Sequence, residues 1–287
     1  MVSASAREQP IGVFDSGVGG LSVVREIRRL LPEEHVLYVA DRAHCPYGVR
    51  PPAEVVTLAS AISRFLIVRG AKLIVVACNT ASVAALPHLR ATFSVPFVGI
   101  VPAVKPAAQL TRTGKVGVLA TPGTFQGEMF TRLVREHASD VQVLPMSCPG
   151  LVELAEEGNV AGPEACQLVA SYVRPLLDAG ADVLVLGCTH YPFYRPLVEQ
   201  IAGPSIPVLD TGMAVARQVG RVLEASQLRR MGGHGAVHYF TTEPDVTSFR
   251  QVITRLLGDE PEGVERAAIT FGDNDLVPRP VVPPTLV

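Results

Sequence analysis

Arg69-Gly70-Ala71-Lys72-Leu73-Ile74-Val75-Val76-Ala77-Cys78 and Ala179-Gly180-Ala181-Asp182-Val183-Leu184-Val185-Leu186-Gly187-Cys188 align without a gap at an offset of 110 residues. In each, a helical pattern (Glu54–Val68 and Glu164–Asp178) runs into a glycine, then a short apolar run, then a cysteine. A glycine that ends a helix, followed by an uninterrupted apolar run, is the helix–strand half of a parallel-sheet unit, because strands covered on both faces lose their polar alternation. Two such units ending on the same reactive residue type argue for a duplicated α/β fold. Ile11-Gly12-Val13-Phe14 and Val116-Gly117-Val118-Leu119 match at a nearby offset and extend the repeat toward the chain start.

Further strands are expected at Val36–Val39, Phe97–Ile100, Val141–Leu144, Val208–Leu209 and Val237–Thr241. Helices are expected at Gly127–Glu136, Met213–Glu224 and Val246–Leu257, and Gln227–Gly235 reads as a loop. The alternation implies two pseudo-symmetric α/β domains with mainly parallel sheets flanked by helices, and an active site in the cleft between them. Residues 9–100 together with 210–272 form the first domain in this reading, and 101–209 form the second. Residues 273–287, with Pro278, Pro280, Pro283 and Pro284, read as an extended tail.

Composition narrows the function classes. The 287 residues are 48% hydrophobic and 18% charged, enough for a substantial core. A formal net charge of −2 leaves no basic surplus for a nucleic-acid backbone or an anionic membrane, so neither partner is expected. No apolar run is long enough to span a bilayer, and Met1–Pro10 lacks the apolar centre of a secretion signal, which points to the cytoplasm. The five cysteines are odd in number and widely spaced, as expected of free thiols in a reducing compartment. Only Lys72, Lys105 and Lys115 are available for Schiff-base chemistry.

In open parallel sheets, ligands bind beyond the carboxyl ends of the strands. Asp15-Ser16-Gly17-Val18-Gly19-Gly20 is a glycine-rich turn there, suited to an anion. Its third fingerprint glycine would fall on Ser22, and no Gly-Lys-Ser/Thr follows, so a small carboxylate is expected rather than a nucleotide. Cys78 precedes Asn79-Thr80, and Cys188 precedes Thr189-His190. A helix is expected to start directly after each thiol and to lower its pKa. If the halves face one another, the thiols enter the cleft from opposite sides. Inversion at a carbon next to a carboxylate needs that arrangement, a base on one face and an acid on the other. Asp15 and His190 are the flanking groups that assist, and Asn79, Thr80 and Thr189 hold the ammonium and carboxylate. No short-spaced ligand pair accompanies Cys78, Cys188 and His190, so no metal is expected. Cys148 and Cys166 read as packing residues. His44-Cys45 reads as loop, with Tyr47-Gly48 lining the cleft.

The stretches Gly12-Val13-Phe14-Asp15-Ser16-Gly17-Val18-Gly19-Gly20-Leu21, Pro46-Tyr47-Gly48, Ala77-Cys78-Asn79-Thr80-Ala81 and Leu186-Gly187-Cys188-Thr189-His190-Tyr191-Pro192 resemble the glutamate racemases, cofactor-independent members of the aspartate/glutamate racemase superfamily. The resemblance runs from about Ile11 to Leu257. It implies that Cys78 and Cys188 are the two acid/base thiols, assisted by Asp15 and His190. It implies that Asp15, Ser16, Tyr47, Gly48, Asn79, Thr80, Thr189 and His190 contact substrate. It further implies an acidic residue supporting His190 or Cys188, with Glu156 favoured over the adjacent Glu157. No cofactor or metal is implied, and glutamate is the expected substrate. Relatives of this kind supply D-glutamate for peptidoglycan and often form homodimers. Racemisation of aspartate or another small amino acid stays open at this stage. So does a non-catalytic, two-lobed protein that binds an acidic ligand or regulates a partner.

Overall fold

The computed structural model describes residues 4–126 and 128–271; the Pro-rich stretch 273–287 lies outside the described residues. Among the described residues, ten strands follow in chain order: β1 (Ile11–Asp15), β2 (Val36–Ala40), β3 (Leu73–Val76), β4 (Phe97–Gly99), β5 (Lys115–Ala120), β6 (Gln142–Ser147), β7 (Val183–Leu186), β8 (Val208–Leu209), β9 (Val237–Thr241) and β10 (Gly263–Arg266). They form two sheets, ordered β10-β9-β2-β1-β3-β4 and β6-β5-β7-β8. Every pairing is parallel. The order β2-β1-β3-β4 in one sheet is repeated as β6-β5-β7-β8 in the other, which is the duplication expressed as topology.

The repeat extends to single hydrogen bonds. Helix Pro52–Val68 ends at Gly70, which has φ +85°, and helix Pro163–Asp178 ends at Gly180, which has φ +89°. Only glycine takes that left-handed conformation without steric cost. The N–H of Ala71 then donates to Leu66 O and the N–H of Ala181 to Leu176 O, both at 3.0 Å. The two leucines pack over a second matched glycine pair. A Cβ on Gly12 would lie 3.1 Å from Leu66 Cδ1, and one on Gly117 would lie 2.9 Å from Leu176 Cδ1. Each helix thus sits close on its sheet because the strand beneath carries no side chain there.

Each sheet has an apolar cluster on either face. Ile11, Val13 and Leu73 point one way, and Phe14, Ile74 and Val76 the other. The second sheet divides likewise, with Leu184 and Leu186 on one side and Val183 and Val185 on the other. Helix Gly212–Ala225 sends Val215, Ala216, Val219 and Leu223 into the cluster of Ile11 and Val13, so the chain beyond Asp210 packs against the first sheet. There β9 pairs with β2, and β10 pairs with β9. β10 was not expected, and its sequence explains why. Among Gly263-Val264-Glu265-Arg266 only Val264 is buried, so an edge strand of this kind carries no apolar run. Among the described residues, no helix is long and apolar enough to cross a membrane.

Candidate active site

The carboxyl ends of the two sheets face one another across a narrow cavity of about 20 Å³. A space of that size holds about one water, so the two rims close on each other around the thiols. Ser16, Tyr47, Gly48, Cys78, Asn79 and Thr80 line it from the first sheet's side, and Cys188, Thr189 and His190 from the second's. Both thiols therefore open on one cavity. Asp15 and Glu156 stand behind this wall rather than in it.

Cys78 is the N-cap of helix Asn79–Thr92 and accepts the N–H of Ala81 at 3.5 Å. Its thiol lies 3.8 Å from the Ser16 hydroxyl. Burial, reinforced by the Asp15 charge, pushes the Cys78 thiol up to about 12 despite the Ala81 N–H. The expected lowering by the helix N-terminus is outweighed, and the physical reason is that desolvation opposes the thiolate more than one N–H stabilises it.

The second thiol departs from the repeat one residue later. No α-helix starts after Cys188; a turn leads to a 3-10 segment, Tyr191–Tyr194, and helix Arg195–Ala202 begins only then. In the first half the N–H of Ser82 donates to Cys78 O at 2.8 Å and opens the helix; Pro192 holds the matching position and has no N–H to give, so the expected helix start is displaced. The turn places His190 beside its own thiol, with Nδ1 at 3.6 Å from Cys188 Sγ. His190 Nε2 meets Glu156 Oε1 at 2.7 Å, and the same oxygen accepts the N–H of Val18 at 2.6 Å. Burial works against the imidazolium, but hydrogen bonds to Cys188, Cys45 and Glu156 prevail and raise the His190 pKa well above its ordinary value. Burial works to raise Glu156, but the His190 hydrogen bond and charge, the Val18 N–H and the Arg42 charge together lower it.

Asp15 binds the two rims together. Its Oδ1 accepts from the Ser16 hydroxyl at 3.0 Å and the Gly17 N–H at 3.1 Å, and its Oδ2 accepts from the Thr189 hydroxyl at 2.6 Å. Burial nevertheless raises its pKa. Thr80 and Thr121 link the rims again at 3.1 Å. Asn79 Oδ1 is a buried acceptor without a partner, and a buried polar atom left in this state costs about 1–3 kcal/mol. A donor entering the cavity, such as an ammonium group, removes that cost.

Residues 11–219 match the family described as Asp/Glu/hydantoin racemase. The chain belongs to this family. It is 53% identical over 237 residues to a glutamate racemase of Herpetosiphon aurantiacus, covering 82% of this chain and 93% of the relative. It is 52% identical over 275 residues to a glutamate racemase of a Roseiflexus species, covering 94% and 99%. Among solved structures, a glutamate racemase isoform of Bacillus anthracis superposes with TM-score 0.81 at 32% identity, over 91% of this chain and 98% of that one. The Escherichia coli glutamate racemase, solved with L-glutamate and an activator, gives TM-score 0.81 at 36% identity, over 91% and 99%.

Four residues of this racemase site escaped the sequence reading. Thr121 and Thr124 line the cavity from the end of β5. Cys45, read as plain loop, lies against His190, and burial pushes its thiol up to about 12. Arg42 reaches Glu156 Oε2 with Nε at 3.0 Å. Nothing local marks Arg42 or Cys45, since both meet their partners only across the cleft. Cys45, Glu156 and His190 bring one ligand-type atom each within 4.8 Å of one another. The Arg42 guanidinium on the same carboxylate disfavours a divalent cation there, and the trio reads as a hydrogen-bonded network.

Proposed function

We propose that this racemase interconverts L- and D-glutamate by two-base proton transfer between Cys78 and Cys188. The observation that supports it is two buried thiols, at matched strand ends of duplicated sheets, lining one small cavity. A thiolate on one face takes the α-proton, so that a C–H bond breaks and an S–H bond forms. The opposite thiol gives its proton to the other face of the carbanion and becomes the thiolate. Asp15 and the Glu156–His190 pair assist from behind the thiols. Ser16, Tyr47, Gly48, Asn79, Thr80 and Thr189 position the substrate, with the free Asn79 acceptor taking the ammonium. Burial of the whole site keeps water from the carbanion. The proposal includes the division into 9–100 with 210–272 and 101–209, a cytoplasmic homodimer, and supply of D-glutamate for peptidoglycan.

The test is incubation of the purified protein with each glutamate enantiomer in deuterium oxide, following optical rotation and the α-proton signal together. Inversion with deuterium at the α-carbon is expected. Silence with glutamate but not aspartate would move the substrate assignment, and silence with both would favour a binding protein. Cys78→Ala and Cys188→Ala should each lower inversion by at least about 10³-fold, since either leaves one face without its acid or base. Near-normal turnover in either variant would end the two-thiol reading.

A further inference from the structure

Arg42 lies between the two sheets' contributions to the site, on the 3-10 segment Arg42–His44 that follows β2. Its side chain is only 10% exposed and is committed on three sides. Nε meets Glu156 Oε2 at 3.0 Å, and one terminal nitrogen donates to the Glu156 backbone carbonyl at 3.0 Å. The other terminal nitrogen pairs with Glu243 Oε2 at 2.7 Å, on the chain that follows β9. The guanidinium also stands over the Phe249 ring, 5.8 Å from its centroid. Glu156 ends the short helix Leu151–Glu156 and reaches His190 with its other oxygen.

These contacts make one line: Glu243, Arg42, Glu156, His190, Cys188. Only its far end touches the cavity. Arg42 binds both the side chain and the main chain of Glu156, so it fixes the carboxylate's position as well as its charge. The planar fork of arginine suits this double grip, and lysine would keep the charge without the geometry. Cys78 draws on a different line, Asp15 through the Ser16 hydroxyl, which Arg42 does not touch. Its neighbours are Ser16 and the N–H of Ala81.

We propose that Arg42 is a positioning residue for one half of the reaction, holding the Glu156–His190 pair in register with Cys188 while leaving Cys78 untouched. The inference rests on the two-thiol reading above. It makes the Cys188 side of the site a joint product of both sheets, assembled when Arg42 meets Glu156 across the cleft.

Enantiomers have equal free energies in water, so kcat/KM for inversion must fall equally in both directions whichever thiol is impaired. Inversion alone cannot reveal a one-sided defect. A β-chloro analogue can. Once a thiolate has taken the α-proton of 3-chloroglutamate, the electron pair expels chloride from the β-carbon, and the resulting enamine hydrolyses to a keto acid and ammonia. Chloride release therefore reads deprotonation by a single thiol. Cys188→Ala identifies which chloro enantiomer depends on Cys188.

Arg42→Gln is expected to slow chloride release from that enantiomer by about 10–100-fold, the usual scale for loss of a supporting partner behind a reacting group. Release from the other enantiomer should stay within about threefold of the wild type. Arg42→Lys should recover part of the loss. Equal losses with both enantiomers, or none, would overturn the inference. Should Arg42→Gln fail to fold, Glu243→Gln removes one of Arg42's anchors, and it must give the same one-sided loss or the inference fails. A wild-type protein that neither inverts glutamate nor releases chloride would instead overturn the functional reading itself, so the two failures are distinct.

Discussion

At Cys78 the sulphur accepts the Ala81 N–H and lies beside the Ser16 hydroxyl, but burial and the Asp15 charge oppose a negative charge and prevail. With its pKa pushed up to about 12, the resting side chain is a thiol, and on the order of 10⁻⁵ of it is thiolate at pH 7. The thiolate is the form that alkylating reagents attack. Iodoacetamide labelling of Cys78, followed by peptide mass spectrometry, should therefore be slow at pH 7 and rise about tenfold per pH unit to pH 9, with no plateau. A plateau below pH 9 would mean that the free site holds a thiolate. At this scale the sequence was informative where a motif names its own residues, as at Asp15-Ser16, Asn79-Thr80 and Thr189-His190. It was silent on Arg42 and Cys45. Their positions depend on which turns the folded chain brings across the cleft, and no spacing along the chain records that.

Two elements of the same repeat show how far the duplication reaches. Lys72 and Asp182 occupy one position, 110 residues apart, just before β3 and β7. Lys72 is buried, pairs with Glu34 at 2.6 Å and donates to the Arg7 carbonyl at 2.6 Å, tying the chain start to the first sheet. Asp182 instead accepts the N–H groups of Arg112 at 2.7 Å and Thr113 at 3.1 Å, closing the turn before β5. The backbone frame is conserved between the halves while the chemistry at this point is opposite in sign. The energetic consequences differ accordingly. Lys72→Met leaves Glu34 charged and buried without its cation, holding only the Arg230 N–H at 2.9 Å, and should cost about 3–5 kcal/mol in denaturant unfolding. Asp182→Asn loses charge but keeps an acceptor in a more exposed place, and should cost about 1 kcal/mol. Equal losses would show that the Lys72–Glu34 pair is not effectively buried. The helix–glycine–strand units were legible here because glycine placement and apolar runs are local signals. The 3-10 turn after Cys188 was not, since the matching cysteines suggested matching helices and Pro192 breaks the match.

On the scale of the whole molecule, the two sheets are joined through polar contacts around the cavity more than through a shared core. Thr189 to Asp15, Thr80 to Thr121, Val18 to Glu156 and Arg42 to Glu156 all cross from one side to the other. Glu156 is the densest of these junctions, and its charge state makes the junction depend on pH. Its folded pKa is depressed, so its contribution to stability is complete above the unfolded value near 4.5 and is lost as pH falls through the lower folded value. His190 is raised, so its contribution is complete below its unfolded value near 6.5 and is lost as pH rises through the higher folded value. Both contributions are complete only between about pH 4.5 and 6.5. The stability difference between the wild type and Glu156→Gln should therefore be largest in that window, at roughly 3 kcal/mol. Below the window it should shrink steadily as pH falls toward the lowered folded value, because a protonated Glu156 resembles glutamine. Above the window it should shrink without vanishing, because Arg42 keeps its charge when His190 loses its own. Urea unfolding of both proteins from pH 3.5 to 9 reads the whole curve. A difference that stayed flat across the range would mean that Glu156 and His190 do not form a charged pair in the folded protein.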